Sequence, residues 1–178
     1  MARKWKDSRG LTLVEMLCAV VILVLLGLLI NTGLQLAVHS YQEVTAQEEL
    51  ELLAASLSDA LADDLRYAKT PIKAARGDTL LEYHSERYNI SGTTSTKLSI
   101  GKGEENGGKD KGQLYANDYR VLPSGAYGSG GAYIIPEDGL KITYENGLFT
   151  VDLTVKQAAG DLFAKAHFTV RRLSPDAE

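Results

Sequence analysis

The chain has 178 residues, 44% of them hydrophobic and 24% charged, with a formal net charge of −4; that length allows one ordinary domain with room for an appendage. A single cysteine, Cys18, excludes an intrachain disulfide and, with only three histidines, a cysteine-rich zinc cluster. The mild acidity argues against non-specific nucleic-acid binding, and an unusually long apolar opening segment argues against a plain soluble enzyme.

That segment begins after a basic decapeptide in which Arg3, Lys4, Lys6 and Arg9 stand against Asp7. Residues 11–30 then run with a single charge, Glu15. As a helix they would span roughly 30 Å, the hydrocarbon thickness of a bilayer. No lysine or arginine follows until Arg66, whereas Glu43, Glu48, Glu49, Glu51, Asp59, Asp63 and Asp64 all fall in between. The asymmetry predicts a cytoplasmic N-terminus and an extracytoplasmic remainder. A cleaved secretory signal, with a site at Val38-His39-Ser40, and a plain uncleaved anchor are two possible fates. Neither accounts for Glu15, because a carboxylate in an apolar spanning helix costs on the order of 2–3 kcal/mol unless something pairs with it.

The order Gly10-Leu11-Thr12-Leu13-Val14-Glu15, after a basic leader and before an apolar run, resembles the type III signal of the type IV pilin and pseudopilin family. The resemblance implies that a prepilin peptidase cuts between Gly10 and Leu11 and that the new α-amine of Leu11 is N-methylated. It also implies an assembly role for Glu15. An amine from a neighbouring subunit would neutralise the buried carboxylate and set an axial register, since buried charge pairs specify geometry better than they add stability. The competing local reading is a glutamate that snorkels to the headgroups. Two departures bear on the subtype: the mature chain would start with Leu11 where the family usually has Phe. In addition, Asn31, Thr32 and Gly33 occupy the zone where major pilins often carry a kinking proline.

Helical patterning continues to about residue 69. Leu50, Leu53, Leu57, Leu61, Leu65 and Ala68 recur at spacings of three and four, one stripe of an amphipathic helix expected to pack on the chain's own later sheet. Thr70-Pro71 is expected to stop it, with Gly27 and Gly33 as points of bending. Tyr41 suits either the membrane interface or a neighbouring helix, and Cys18 reads as a small packing residue. Leu61 to Arg66 is similar to the end of this helix in J-type minor pseudopilins of type II secretion, which have relatives in Gram-positive competence pseudopili.

Past Pro71 the spacing predicts short strands at residues 79–84, 87–90, 97–100, 114–122 and 132–135. The clearest unit is a hairpin, residues 140–145 and 148–156 around Asn146-Gly147, the dipeptide best suited to a two-residue turn. Its register pairs Tyr144 with Phe149, Ile142 with Val151 and Leu140 with Leu153 on one face, and Lys141 with Asp152 on the other. A third strand places Ala164, Ala166, Phe168 and Val170 inward and Lys165, His167 and Arg171 outward. Residues 101–113, five glycines among charges, read as a solvated loop. Glu104, Glu105, Asn106 and Asp110 offer oxygens to a calcium ion, but the spacing is not that of an EF-hand, and Lys102, Lys109 and Lys111 oppose it. The glycine run at residues 124–131 follows no helix–phosphate pattern.

No motif for nucleophilic or metal-assisted catalysis occurs, His84 and His167 read as surface or core-edge residues, and Asp63 and Asp64 face different ways on the helix. The expectation is therefore an α+β, pilin-like chain with no enzymatic role, catalytic residue, metal or cofactor. It comprises a cleaved leader (1–10), a transmembrane and filament-core helix (11–33), its amphipathic continuation (34–70) and an extracytoplasmic β-rich domain (71–178). The resemblance implies the membrane, prepilin peptidase and other pilins as partners, with the assembly platform and its ATPase acting indirectly. The contrasting reading is a single-pass binding module that never assembles. Nucleic acid is disfavoured by charge, and pilus, secretion and competence systems are all compatible with the sequence.

Overall fold

A computed structural model describes residues 12–77, 79–85, 87–88, 95–103, 109–123, 127–128 and 131–173. The chain divides into two compact units, one ending at Val44 and the other Thr45–Glu178. Helix α1, Leu13–Arg66, contributes to both. It runs without interruption through Gly27 and Gly33, the expected bending points.

From Thr12 to Val44 every residue of the first unit is exposed. Its large apolar side chains, from Leu13 at 82% to Leu26 at 48%, cover no core of their own. An apolar surface this extensive on a soluble protein would aggregate; in length and composition the helix is sufficient to cross a membrane.

In the second unit the predicted leucine stripe is the core. Leu50, Leu53, Leu57, Leu61, Leu65 and Ala68 are each at most 8% exposed. They pack with Leu81, Tyr83, Leu98 and Leu114 of one antiparallel sheet and with Phe149, Val151, Leu153 and Val155 of another. The architecture is α+β.

The helix stops three residues before the expected end. Tyr67 N–H and Ala68 N–H bond the carbonyls of Asp64 and Leu65, both at 3.2 Å, tightening the last turn. Lys69–Arg76, expected as helix end and loop, forms strand β1. Pro71 lies inside it, which a sheet tolerates because β1 is an edge strand and its register shifts between Lys69 and Lys73. β1 opens a five-stranded meander with β2 (Thr79–His84), β3 (Thr96–Ile100), β4 (Leu114–Ala116) and β5 (Tyr119–Arg120).

The expected single strand at residues 114–122 is instead the β4–β5 hairpin, with Ala116 opposite Tyr119. Asn117 takes φ 57°, a left-handed conformation that asparagine tolerates, and its backbone and side chain bond to Lys97. In the expected strand at 87–90, Arg87 and Tyr88 form a turn, and the other two residues lie outside the described set.

The second sheet is centred on β8 (Leu148–Gln157), with β9 (Phe163–Arg171) along one edge. Along the other edge lie β7 (Leu140–Glu145) and, in tandem, β6 (Tyr133–Ile134). The β7–β8 register is the predicted one at every pair, and Asn146 and Gly147 take φ 50° and 80° as such a turn demands. In β9, Ala164 and Val170 are buried, Ala166 and Phe168 are partly so, and Lys165, His167 and Arg171 are exposed, as the alternation implied.

The ends of the glycine-rich segment are more ordered than a solvated loop. Gly101 N–H bonds Gln113 O (2.8 Å), Gly103 N–H bonds Lys109 O (3.0 Å), and Gly112 N–H bonds Gly101 O (2.9 Å). Gly112 also accepts from Ile135 N–H at 2.9 Å and so joins the two sheets. Its φ of +74° and the 2.6 Å that would separate an added Cβ from Ile134 Cβ explain why glycine stands there.

Candidate functional site

The N-terminal site rests on the first turn of α1. Residues 1–11, including Gly10 and Leu11 of the expected cleavage site, lie outside the described set. Glu15 is described. One of its carboxylate oxygens accepts the Thr12 backbone N–H at 2.9 Å and the Thr12 hydroxyl at 3.1 Å. In return, Glu15 N–H donates to Thr12 Oγ1 at 3.3 Å. The reciprocal pattern is a capping box, in which two orphan donors of a helix start are satisfied by side chains three residues apart.

Sequence reasoning treated Glu15 as a charge in need of an external partner and overlooked this one. The Thr12-x-x-Glu15 spacing was the signal for it. The carboxylate at the helix N-terminus also sits at the favourable end of the macrodipole. Within one chain, then, Glu15 is held in place and partly solvated by its own first turn, and among the described residues no cation pairs with it. The arrangement keeps the carboxylate fixed at the start of an apolar helix and available to a cation.

Further along the exposed helix, Cys18 is exposed with its neighbours, and His39 and Glu43 approach to 3.6 Å as an i,i+4 pair.

At the other end of α1 the sequence missed a polar cluster. Asp63 is exposed, as expected for the adjacent pair, while Asp64 is only 7% exposed. Tyr83 OH and Ser85 Oγ donate to its two oxygens, the latter at 2.6 Å. Burial raises the Asp64 carboxyl above its ordinary value of 3.8, against the opposing pull of Ser85, Tyr83 and the Arg87 charge. Burial, reinforced by Asp64, also pushes the Tyr83 phenol well above 10, so the proton stays on the tyrosine as donor. The cluster ties the helix end to β2.

Because Asp64 holds its proton more tightly folded than unfolded, its contribution is fully present below pH about 3.8 and is lost as pH rises through the raised value. The full-length protein in detergent is therefore expected to lose urea midpoint across that window relative to Asp64→Asn. Superimposable pH profiles of the two proteins would contradict the assignment.

A second tether joins β6 to the helix: Tyr133 OH donates to Glu49 at 2.6 Å, and burial together with this carboxylate pushes the phenol up to about 12. Beside it α1 and the side chains of Leu122, Pro123 and Tyr127 line an apolar groove of about 450 Å³.

The calcium reading of the glycine-rich segment gains no support. Asp110 is engaged by Arg120, and Glu104, Glu105 and Asn106 lie outside the described residues. Among the described residues no cluster of three His, Cys, Asp or Glu side chains could hold a metal. His167 pairs with Asp152 at 2.6 Å on the exposed face of the second sheet, a cross-strand contact of the kind that stabilises sheets.

Residues 5–31 match the family model of the prokaryotic N-terminal methylation motif. Neither a curated protein nor a solved structure matches the chain. The match covers the second half of the basic decapeptide, Gly10, Leu11, Glu15 and the whole apolar run, and it implies processing by a prepilin peptidase and anchoring in a membrane. It points to a structural protein. The chain carries the prepilin-type N-terminal methylation signal that characterises the type IV pilin and pseudopilin family.

Proposed function

We propose that the chain is a structural subunit of a pilin-type filament, of the minor-pilin or pseudopilin kind. The precursor sits in the membrane with residues 1–10 in the cytoplasm and the Thr45–Glu178 unit outside. Prepilin peptidase cuts after Gly10, and Leu11 is N-methylated. Assembly then transfers the apolar helix from lipid into a bundle of like helices, where Glu15 meets the α-amine of a neighbour.

The observation that carries this reading is the methylation motif at residues 5–31, whose described part from Leu13 onward is helix with its apolar side chains exposed. A helix that lipid solvates before assembly and other helices cover after it needs that surface. A binding module anchored by the same helix would need neither the glycine junction nor Glu15. The minor or pseudopilin kind is supported by Asn31, Thr32 and Gly33 in place of a kinking proline, and by the Leu61 to Arg66 resemblance.

Gly10 offers a direct test, since a cleavage site that requires glycine has no room for a side chain. Gly10→Val, produced in a cell with its native peptidase, is expected to accumulate as the uncleaved precursor by intact mass. Normal cleavage of that variant would defeat the proposal.

A further inference from the structure

Helix α1 begins at Leu13, just after the Gly10–Leu11 bond expected to be cleaved, and Thr12 is its N-cap. The Thr12 carbonyl accepts the first helical bond, from Met16 N–H at 3.2 Å. Its hydroxyl oxygen accepts Glu15 N–H at 3.3 Å, and its own N–H is held by the Glu15 carboxylate at 2.9 Å.

These partners decide how far the helix runs back toward the leader. In an α-helix each N–H donates to the carbonyl four residues earlier. Wound further upstream, Thr12 N–H would serve Ser8, Val14 N–H would serve Gly10, and Glu15 N–H would serve Leu11. The capping box has already taken the first and the last of these donors, and so fixes the helix start at Thr12.

The Val14 donor concerns the bond to be cut. Hydrolysis adds water across Gly10–Leu11: the Gly10 carbonyl carbon gains the hydroxyl, and the Leu11 nitrogen gains a proton and leaves as the α-amine. A carbonyl engaged in a helical hydrogen bond is turned along the helix axis, whereas an unwound one is open to attack and to polarisation by the enzyme's own donors.

The upstream residues do not forbid winding. Asp7 and Ser8 are both good N-cap residues, and one glycine weakens a helix without breaking it. At the edge of an apolar zone an uncapped helix start leaves donors that water serves poorly, and winding upstream satisfies them.

We propose that Thr12 is a positioning residue for processing: through the capping box it stops α1 short of the Gly10–Leu11 bond, so that prepilin peptidase meets that bond unwound. The proposal rests on the processed-pilin reading and deepens it. A wound precursor is not a substrate, so its population raises the apparent KM and leaves kcat unchanged.

The test uses the full-length precursor in detergent with its native prepilin peptidase, and reads initial cleavage rates by intact mass. Thr12→Ala and Thr12→Val are expected to raise KM about fivefold at unchanged kcat, the scale of a lost N-cap. Cleavage slowed this much still runs to completion, so the mature chain forms. Thr12→Ser, Thr12→Asn and Thr12→Gly cap about as well as threonine and are expected to stay within about twofold. Glycine against alanine is the sharpest contrast, because neither has a hydroxyl and only alanine caps poorly.

An unchanged KM for Thr12→Ala would overturn the proposal. So would a loss shared by Thr12→Gly and Thr12→Asn, which would mean that the peptidase reads the threonine side chain directly. Either result, with normal cleavage of the unaltered chain, rejects the role of Thr12 and leaves the pilin reading standing. An unaltered chain that the peptidase does not cut after Gly10 would reject both.

Discussion

Glu15→Gln is expected to leave the chain in the membrane, cleaved and helical from its first turn, yet reduce its incorporation into filaments by at least about tenfold. Glu15 has a local role in the capping box and, in the proposed filament, would have a second one. In the capping box, Glu15 accepts two hydrogen bonds from Thr12, and a glutamine carbonyl still accepts them, somewhat more weakly. In the proposed filament, only the charge would attract the neighbour's α-amine, and in a medium of low dielectric that attraction is large. Removing one partner leaves the other charge buried and unpaired, which costs about 3–5 kcal/mol.

The complementary variant is Thr12→Val, which keeps the charge and removes the hydroxyl. It is expected to weaken the helix start by about 1 kcal/mol and to leave assembly largely intact. Quantifying the variant in sheared filaments against the membrane fraction distinguishes the two roles. Equal incorporation of Glu15→Gln and the unaltered chain would reject the pairing role and leave the capping box as the whole function of Glu15.

Leu57→Ala is expected to destabilise the Thr45–Glu178 unit by about 3 kcal/mol, whereas Leu52→Ala, one and a half turns away on the same helix, is expected to change it by less than about 0.5 kcal/mol. Leu57 is fully buried in the core that α1 shares with the strands, and truncation there leaves a cavity that a close-packed interior does not readily close. Leu52 is 69% exposed and loses little on truncation. Urea midpoints of the full-length proteins in detergent measure both. Similar losses at the two positions would mean that the helix is held by something other than its leucine stripe.

What was legible in the sequence was local periodicity and turn chemistry. The stripe from Leu50 to Ala68 follows from spacing alone, and all six residues are core. The β7–β8 hairpin follows from Asn146-Gly147 and two alternations that agree on one register, so a slip of one residue would have exposed every inward side chain. What was not legible depends on neighbours distant in sequence. Pro71 argues against a strand unless one knows that β1 lies at an edge. Asn117 reads as one polar residue in an alternating run, and only its bonds to Lys97 fix the left-handed turn that splits the run.

The sites show the same division. Gly10, Leu11 and Glu15 stand out because charge and glycine interrupt a simple pattern. Asp64 does not stand out, because the Tyr83 and Ser85 hydroxyls that make its burial tolerable come from β2 and the residue after it. The capping box was visible as Thr12-x-x-Glu15 and was overshadowed by the larger electrostatic question about the same glutamate.

The central claim is that this chain is a processed pilin-type subunit, and the mass of its N-terminus in native membranes tests it most directly. The expected result is loss of residues 1–10, a new terminus at Leu11 and one added methyl group on its amine. An intact Met1, or a new terminus near Tyr41 from ordinary signal cleavage, would contradict it.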